Sequence, residues 1–310
     1  MTGCLKHASG EEAGPATRGP RALRRIDDAA IAAAGAVRRR SEYDYAVFEY
    51  WRSAKILKTL DRQGIVLAGR ILDAGCGAGG TTLSLAEEGC LAIGLDLAAR
   101  FRGTGTRLAG EKGIAGVRFV QGDGTRLPFR DARFDLVLSH EVIEHIPGAL
   151  AYLRECHRVL RPGGVLYLST APYLSLTGAH LPRLRLPIPL HLLLGRRFAH
   201  AVLLALARSA PGLFRDPVES SSFLLRARRG ERVEDSLRQR VTVRKLSAWI
   251  ATAGFEVRGQ EQRVTGFFNR VLPGPVRRRL AQAPFIQDVM IGHLEYLLQR
   301  PSPAGPAGAP

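Results

Sequence analysis

Ile71-Leu72-Asp73-Ala74-Gly75-Cys76-Gly77-Ala78-Gly79-Gly80 reads as a buried strand that runs into a glycine turn and opens a helix over residues 81–88. Gly75, Gly77 and Gly79 remove the side chains that would otherwise hold a ligand off the backbone. Asp73, at the end of the strand, selects among ligands. A dinucleotide site places a pyrophosphate there and keeps carboxylates away, so an acidic neighbour favours a ligand with a cationic amine. A glycine turn also serves plain strand-to-helix packing, so the strand ends further along the chain must decide between the two.

Three later stretches end in polar residues where such a site needs them. The apolar run over 90–95 closes at Asp96, about 20 residues past the turn, where a carboxylate can accept both ribose hydroxyls of a nucleoside. Residues 117–121 form a third short strand followed by Gly122-Asp123-Gly124, and Asp123 can accept from an exocyclic adenine amine. Residues 134–139 form a fourth, ending in Ser139-His140-Glu141. Strands alternate with helices over 70–170, which indicates a parallel sheet with helices on both faces, and such sheets bind ligands at the carboxyl ends of their strands. A helix from Pro147 to Leu160 is ended by Arg161-Pro162-Gly163-Gly164, and a fifth strand covers 165–170. Upstream, residues 41–63 read as one helix with Ser41 as N-cap and Gly64 as stop, packing Phe48, Trp51, Leu57 and Leu60 on the sheet. Downstream, a helix is expected over 242–253, a strand over 255–258 and a last strand over 290–299.

Residues 71–80, 94–96, 121–129 with Asp123-x-x-x-Leu127-Pro128-Phe129, 134–147 and Leu160-Arg161-Pro162-Gly163-Gly164 together resemble the class I S-adenosylmethionine-dependent methyltransferases. The subgroup most alike is that of ubiquinone-biosynthesis and small-molecule methyltransferases, and the resemblance spans residues 65–172. It implies an α/β, Rossmann-like sheet of seven strands, mostly parallel with the last antiparallel, and a helical insertion after the fifth strand. It also implies S-adenosyl-L-methionine as cofactor. Asp73 and the turn would take its methionine part, Asp96 the ribose and Asp123 the adenine, with Ser139 and His140 on the methionine side. The implied pocket comprises Asp73, Gly75, Cys76, Gly77, Gly79, Asp96, Leu97, Asp123, Gly124, Ser139 and His140. Gly124 stands where an alanine is common in that family. Segments before the first strand often cover the cofactor there, which brings in Tyr45 and Arg52 beside a plain packing role.

A chain of 310 residues can hold one α/β domain with a full core and an insertion. The expected organisation is a leader of little order over 1–40, one methyltransferase domain over 41–300 and a disordered Pro/Ala/Gly tail over 301–310. Within the domain, 172–240 form a lid or acceptor insertion. Cys4, Cys76, Cys90 and Cys156 show neither a C-x-x-C pair nor metal-ligand spacing, which suits a reducing compartment. With no secretory signal pattern at the start, a cytoplasmic location is expected. The net charge of +17 rests on 40 Arg and 5 Lys, a usage that base composition of a genome can also produce. Nine Arg between 176 and 229 face only Asp216 and Glu219, and Arg277-Arg278-Arg279 follow later. Such a surface attracts anionic lipid, nucleic acid or an acidic substrate. Residues 186–195 and 198–207 are uncharged runs of ten split by Arg196-Arg197, too short for a bilayer span of about 20. Two readings stand for them: a helical cap that buries its own leucines, or an interfacial face that meets lipid at the inner side of a membrane.

Methyl transfer from a sulfonium needs the acceptor aligned behind the methyl and, for a protonated acceptor, a base. His140, Glu141, Glu144 and His145 lie at the fourth strand's tip, and His145, in the Glu-His-Ile-Pro element, leads as base beside a purely structural role. His140 and Glu141 follow, and His180 and His191 in the insertion are weaker choices. The run His140-Glu141-x-x-Glu144-His145 resembles H-E-x-x-H, but the second histidine is one residue late, about 100° round a helix, so no metal is expected. The expected activity is methyl transfer to oxygen of a small or lipid-like acceptor, without an obligate protein partner. RNA methylation by way of the basic surface ranks second, since no Asn/Asp-Pro-Pro-Tyr element follows the fourth strand and no RNA-binding module is evident. A non-catalytic scaffold on the same fold ranks third.

Overall fold

The computed structural model describes residues 25–175, 180–186, 190–215, 218, 221–233 and 237–302 of the chain. Its centre is a seven-stranded sheet of β1 Arg70–Ala74, β2 Leu91–Asp96, β3 Val117–Gln121, β4 Phe134–His140, β5 Leu160–Thr170, β6 Glu256–Val264 and β7 Ile291–Gln299. The strand order is β3-β2-β1-β4-β5-β7-β6. β1 to β5 pair in parallel and β7 runs antiparallel to both β5 and β6. The expected fold is therefore present, with its reversed last strand.

Among the described residues three helices precede the sheet: α1 Asp28–Val37, α2 Glu42–Arg52 and α3 Ala54–Arg62. Two expectations change here. The leader expected over 1–40 contains α1, whose N-cap Asp27 accepts from the Ala30 amide at 2.8 Å and whose Asp28 pairs with Lys55 at 3.1 Å. The remainder of that leader, residues 1–24, lies outside the described residues. The single helix expected over 41–63 is two, because Ser53 turns its hydroxyl onto the Tyr50 carbonyl at 2.6 Å and caps α2 at that point. Ser41 does cap α2, accepting from the Asp44 amide. Leu57 and Leu60 pack on the sheet with Ile71, Leu136 and Leu138, whereas Phe48 lies against Gly35 and the guanidiniums of Arg38 and Arg52.

Along the sheet follow α4 Gly80–Glu87, α5 Gly105–Lys112 and α6 Ala149–Val159. The insertion contributes α7 Leu190–Leu193, α8 Arg196–Ser209 and α9 Ser222–Arg228, after which come α10 Val243–Thr252, α11 Gly266–Val271, α12 Gly274–Leu280 and α13 Ile286–Met290. One face of the sheet buries Leu72, Val137, Leu166 and Leu298 against α6 and α10, and the other buries Ile71, Ala92 and Tyr167 against α3 and α4. Burial on both faces explains why the parallel strands read as unbroken apolar runs. β6 extends to Val264, beyond the expected 255–258. It is an edge strand with mostly exposed side chains, so no apolar pattern announces its length.

The insertion has a small core of its own: Leu203 and Ala207 of α8 meet Phe214, Phe223, Leu224 and Ala227. Leu186, Leu193, Leu194, Phe198 and Leu213 remain exposed, so the cap buries part of its apolar surface and leaves part bare. Among the described residues no helix is long and apolar enough to cross a membrane. Most of the tail expected over 301–310 lies outside the described residues.

Candidate functional site

Parallel register brings four strand tips to one edge of the sheet. β1 pairs with β2 from Arg70↔Leu91 to Ala74↔Leu95, and β2 with β3 up to Asp96↔Gln121. Asp73, Asp96, Asp123 and Ser139-His140 thus stand along the carboxyl edge, around the turn at Gly75–Gly79. Gly75, Gly77 and Gly79 all have positive φ, at 94°, 54° and 91°. Their surroundings differ. A Cβ on Gly75 would strike Val142 at 2.5 Å and one on Gly79 would strike Phe119 at 2.8 Å, so these two glycines serve close protein packing. At Gly77 the nearest atoms would be Glu49 Oε1 at 3.6 Å and Arg100 Nη2 at 3.7 Å, which leaves the cradle open at that one point.

The carboxylates are held in place. Asp73 is buried and accepts from the Thr82 hydroxyl at 2.6 Å. Burial pushes it up to about 7, against the pull of that hydroxyl. Asp96 accepts from the Gly77 amide and the Ala98 amide, both at 2.8 Å, so this carboxylate also fixes the turn. Asp123 accepts from the amide and hydroxyl of Thr125, each at 2.8 Å, and these hold its carboxyl below the usual range. Leu97 is 71% exposed at the same edge, and the Cys76 amide donates to the Leu95 carbonyl at 3.0 Å. Gly124 has a local reason: a Cβ there would press on the Tyr152 ring at 3.0 Å. The Tyr152 hydroxyl lies 2.8 Å from Ser139 Oγ and 3.2 Å from the Ala74 carbonyl, which ties the β1 and β4 tips together.

Two residues of α2 complete the cradle. Glu49 is 8% exposed, and burial, opposed chiefly by Arg52, pushes its carboxyl up to about 8. Glu49 Oε2 and Arg52 Nε are buried without a hydrogen-bond partner among the described residues. Sequence reasoning named Arg52 and Tyr45 but missed Glu49. It stands one turn before Arg52 in a helix that reads as surface, and only the packing of α2 on α4 buries it.

At the β4 tip the polar groups form two sets bridged by His180, whose Nε2 lies 3.8 Å from Glu141 and 3.7 Å from Glu144. Glu141, in a left-handed backbone at φ 57°, turns its carboxylate to His293 Nδ1 of β7 at 3.2 Å. His293 Nε2 lies 3.1 Å from Glu295, which also takes Arg263 at 2.9 Å. Burial opposes a charge on His293, but the two carboxylates outweigh it and hold the ring up at about 9. Burial likewise works against the Glu141 charge, and His293 with its neighbours overcomes it, down to about 2. The second set is Glu144, His145 and His180. Glu144 is buried, accepts from the Thr170 hydroxyl at 2.9 Å and has His180 Nε2 at 3.7 Å from its other oxygen. Burial, then the Glu141 charge, pushes it up to about 8. The His145 and His180 rings are 5.2 Å apart. Ligand atoms of Glu144, His145 and His180 lie within 4.8 Å of one another, a set able to take a cation, where spacing alone gave no metal group. His140 stands beside the first set, its ring edge-on to His293 at 6.3 Å; its Nδ1 is 2.6 Å from Ser169 Oγ, and burial, then Arg52, lowers it to about 4. His191 packs edge-on against Tyr173. His293 had no signal in the sequence, since only the reversed strand sets it opposite Glu141.

In comparison with known proteins, the family match falls inside the stretch 65–172 that carries the resemblance. A model described as a methyltransferase domain matches residues 72–168. A demethylmenaquinone methyltransferase of Beutenbergia cavernae is 34% identical over 144 residues, 44% of this chain and 56% of that protein. A ubiquinone biosynthesis O-methyltransferase of Cereibacter sphaeroides is 38% identical over 101 residues, 33% of this chain and 40% of its own. The chain thus spans about half the length of the curated relatives it matches. Among solved structures, the YcgJ protein of Bacillus subtilis aligns at 17% identity and a TM-score of 0.48, covering 80% of this chain and 98% of that one.

Proposed function

We propose that this chain, a class I S-adenosylmethionine-dependent methyltransferase by the domain match over residues 72–168, moves a methyl group to an oxygen of a small or lipid-like acceptor. The observation that carries the reading is the row of carboxylates Asp73, Asp96 and Asp123 at successive strand tips around one open glycine. These donors and acceptors fit S-adenosyl-L-methionine. Among the described residues Glu49 and Arg52 each hold a buried polar atom without a hydrogen-bond partner, an acidic and a basic group that complement an amino-acid end with its ammonium and carboxylate. Asp96 would hold the ribose hydroxyls and Asp123 the adenine amine, and exposed Leu97 would offer an apolar surface to the base. Bound, the cofactor supplies an electrophilic methyl on a sulfonium.

The chain's own work is to orient the acceptor and take its proton. The best proton acceptor has its pKa near the working pH. Glu141 is too acidic and His140 too weakly basic, at about 2 and about 4. Glu144 is poised at about 8 with His145 and His180 beside it. We therefore place the base function on this group, with His145 presenting it to the acceptor and Glu144 sharing the proton. Glu141 is a positioning residue, held by His293. An oxygen acceptor accords with the name of the Cereibacter relative and with the provision of a base.

The test is labelled methyl donor supplied with the protein and fractions of lipid, small metabolites, RNA and protein. Label in the lipid or metabolite fraction as an ether or ester is the expected result, and label confined to RNA would overturn the acceptor class. Calorimetry of cofactor binding guards against a scaffold role. Asp96→Ala should bind about 10–100-fold more weakly, the loss of one charge-assisted hydrogen bond or two, and a wild-type chain with no affinity ends the enzymatic reading.

A further inference from the structure

The segment between β6 and β7 is built unlike the rest of the molecule. Neither α11 nor α12 buries a single residue. Phe267, Val271, Val276, Phe285 and Ile286 are exposed, Val271 at 54% and Phe285 at 73%. Phe285 stands at φ 64°, a backbone position costly for a bulky side chain, and its ring still points into solvent. From Thr265 to Gln287 the chain has four arginines, Arg270, Arg277, Arg278 and Arg279, and no Asp or Glu. Among the described residues none of these four pairs with a carboxylate. The segment is nonetheless anchored at its end, where buried Asp288 accepts from the Val243 amide at 2.6 Å.

Topology decides where this surface lies. Thr170 pairs with Leu294, and Val264 with Ile291, so β6 ends and β7 begins at the carboxyl edge of the sheet. The insertion leaves the sheet from the same edge, at the end of β5, with Phe198 60% exposed and Arg196 and Arg197 alongside it in sequence. The acceptor group of Glu144 and His145 is at that edge too.

We propose that residues 265–287 form a docking face for an anionic lipid bilayer, which sets the acceptor end of the site against the membrane. Exposed aromatic and aliphatic side chains enter the acyl boundary while guanidiniums meet the headgroups, the composition of an interfacial segment. Uncompensated positive charge chooses an anionic surface over a neutral one. The proposal needs no catalytic residue and stands whether or not the acceptor is a lipid.

Flotation of the full chain with vesicles tests it. Phosphatidylglycerol vesicles should carry the wild type at low salt and release it as salt rises, and phosphatidylcholine vesicles should not carry it. Arg277→Gln/Arg278→Gln/Arg279→Gln should weaken partition on the order of 100-fold, at about five-fold per charge near an anionic surface. Phe285→Ser should weaken it at every salt concentration, with cofactor binding by both variants unchanged as the control for folding. The proposal fails if the wild type does not float with phosphatidylglycerol, or if the triple variant floats as well as the wild type. It also fails if the arginines contribute only to RNA binding or to a concentration-dependent dimer.

Discussion

Asp73, Glu49 and Glu144 all keep their protons up to near-neutral pH, because burial outweighs every favourable contact they have. A cationic amine arriving beside Glu49 and Asp73 reverses that balance, so cofactor binding should release protons. Calorimetry at pH 7 in two buffers of different ionisation enthalpy should give different apparent heats, and Glu49→Gln should reduce the difference. Equal heats in both buffers would show that neither group changes state. The base assignment has its own signature. His145→Asn should lower kcat by about 10²–10⁴-fold with cofactor affinity kept, and Glu144→Gln should remove the limb of the pH–rate profile near 8. A merely structural His145 would lower stability and leave that profile in place. At this scale Asp73, Asp96 and Asp123 were legible as strand-end carboxylates, whereas Glu49 and His293 were not. One looks like any surface helix acid, and the other lies 152 positions from its partner Glu141.

Among the elements, the turn into α4 is the least tolerant. A Cβ on Gly80 would meet the Ala46 carbonyl at 2.0 Å and the Tyr50 amide at 2.7 Å, both of them backbone. Gly80→Ala should therefore force α2 away from α4 and cost more than the roughly 1–3 kcal/mol usual for overpacking. Gly103, with nothing within 4 Å of its Cβ position and an ordinary φ, should accept alanine without loss. Urea denaturation of the two variants makes the comparison, and equal stabilities would remove the close approach of α2 as the reason for Gly80. The start of α2 was well marked in the sequence by Ser41, which caps as read, and Thr242, where the helix over 242–253 was expected to begin, is the N-cap of α10. The break at Ser53 was not marked, because a serine inside an amphipathic run has no helix-ending signature until its hydroxyl finds a carbonyl.

For the whole molecule, the raised groups give a pH dependence of one sign. His293 is charged more readily folded than unfolded, so its contribution is full below 6.5 and is lost as pH rises through about 9. Glu144 and Glu49, raised from 4.5 to about 8, also favour the folded chain most when protonated. Stability of the cofactor-free protein should thus decline from about pH 5 to pH 9. His293→Gln should flatten the upper part of that decline, between 6.5 and 9, in urea melts at several pH values. Glu141 and His140, both held low, work in the opposite direction: Glu141 loses its contribution only as pH falls from 4.5 towards about 2, and His140 as pH falls from 6.5 towards about 4, which offsets part of the decline below pH 6.5. A wild-type protein most stable at pH 9 would contradict this account of the buried cluster.

Local chemistry was enough to establish the strand–turn–helix at Asp73, the acidic strand tips and the sheet class, because each depends on neighbours within a few residues and on the two-sided burial of parallel strands. Other features needed the chain folded. Antiparallel β7 brings His293 and Glu295 to Glu141, the insertion brings His180 to Glu144, and α2 on α4 buries Glu49. Contacts between distant segments leave no periodicity in a sequence; only the packing of elements sets their distances, and with them the charges that the site can hold.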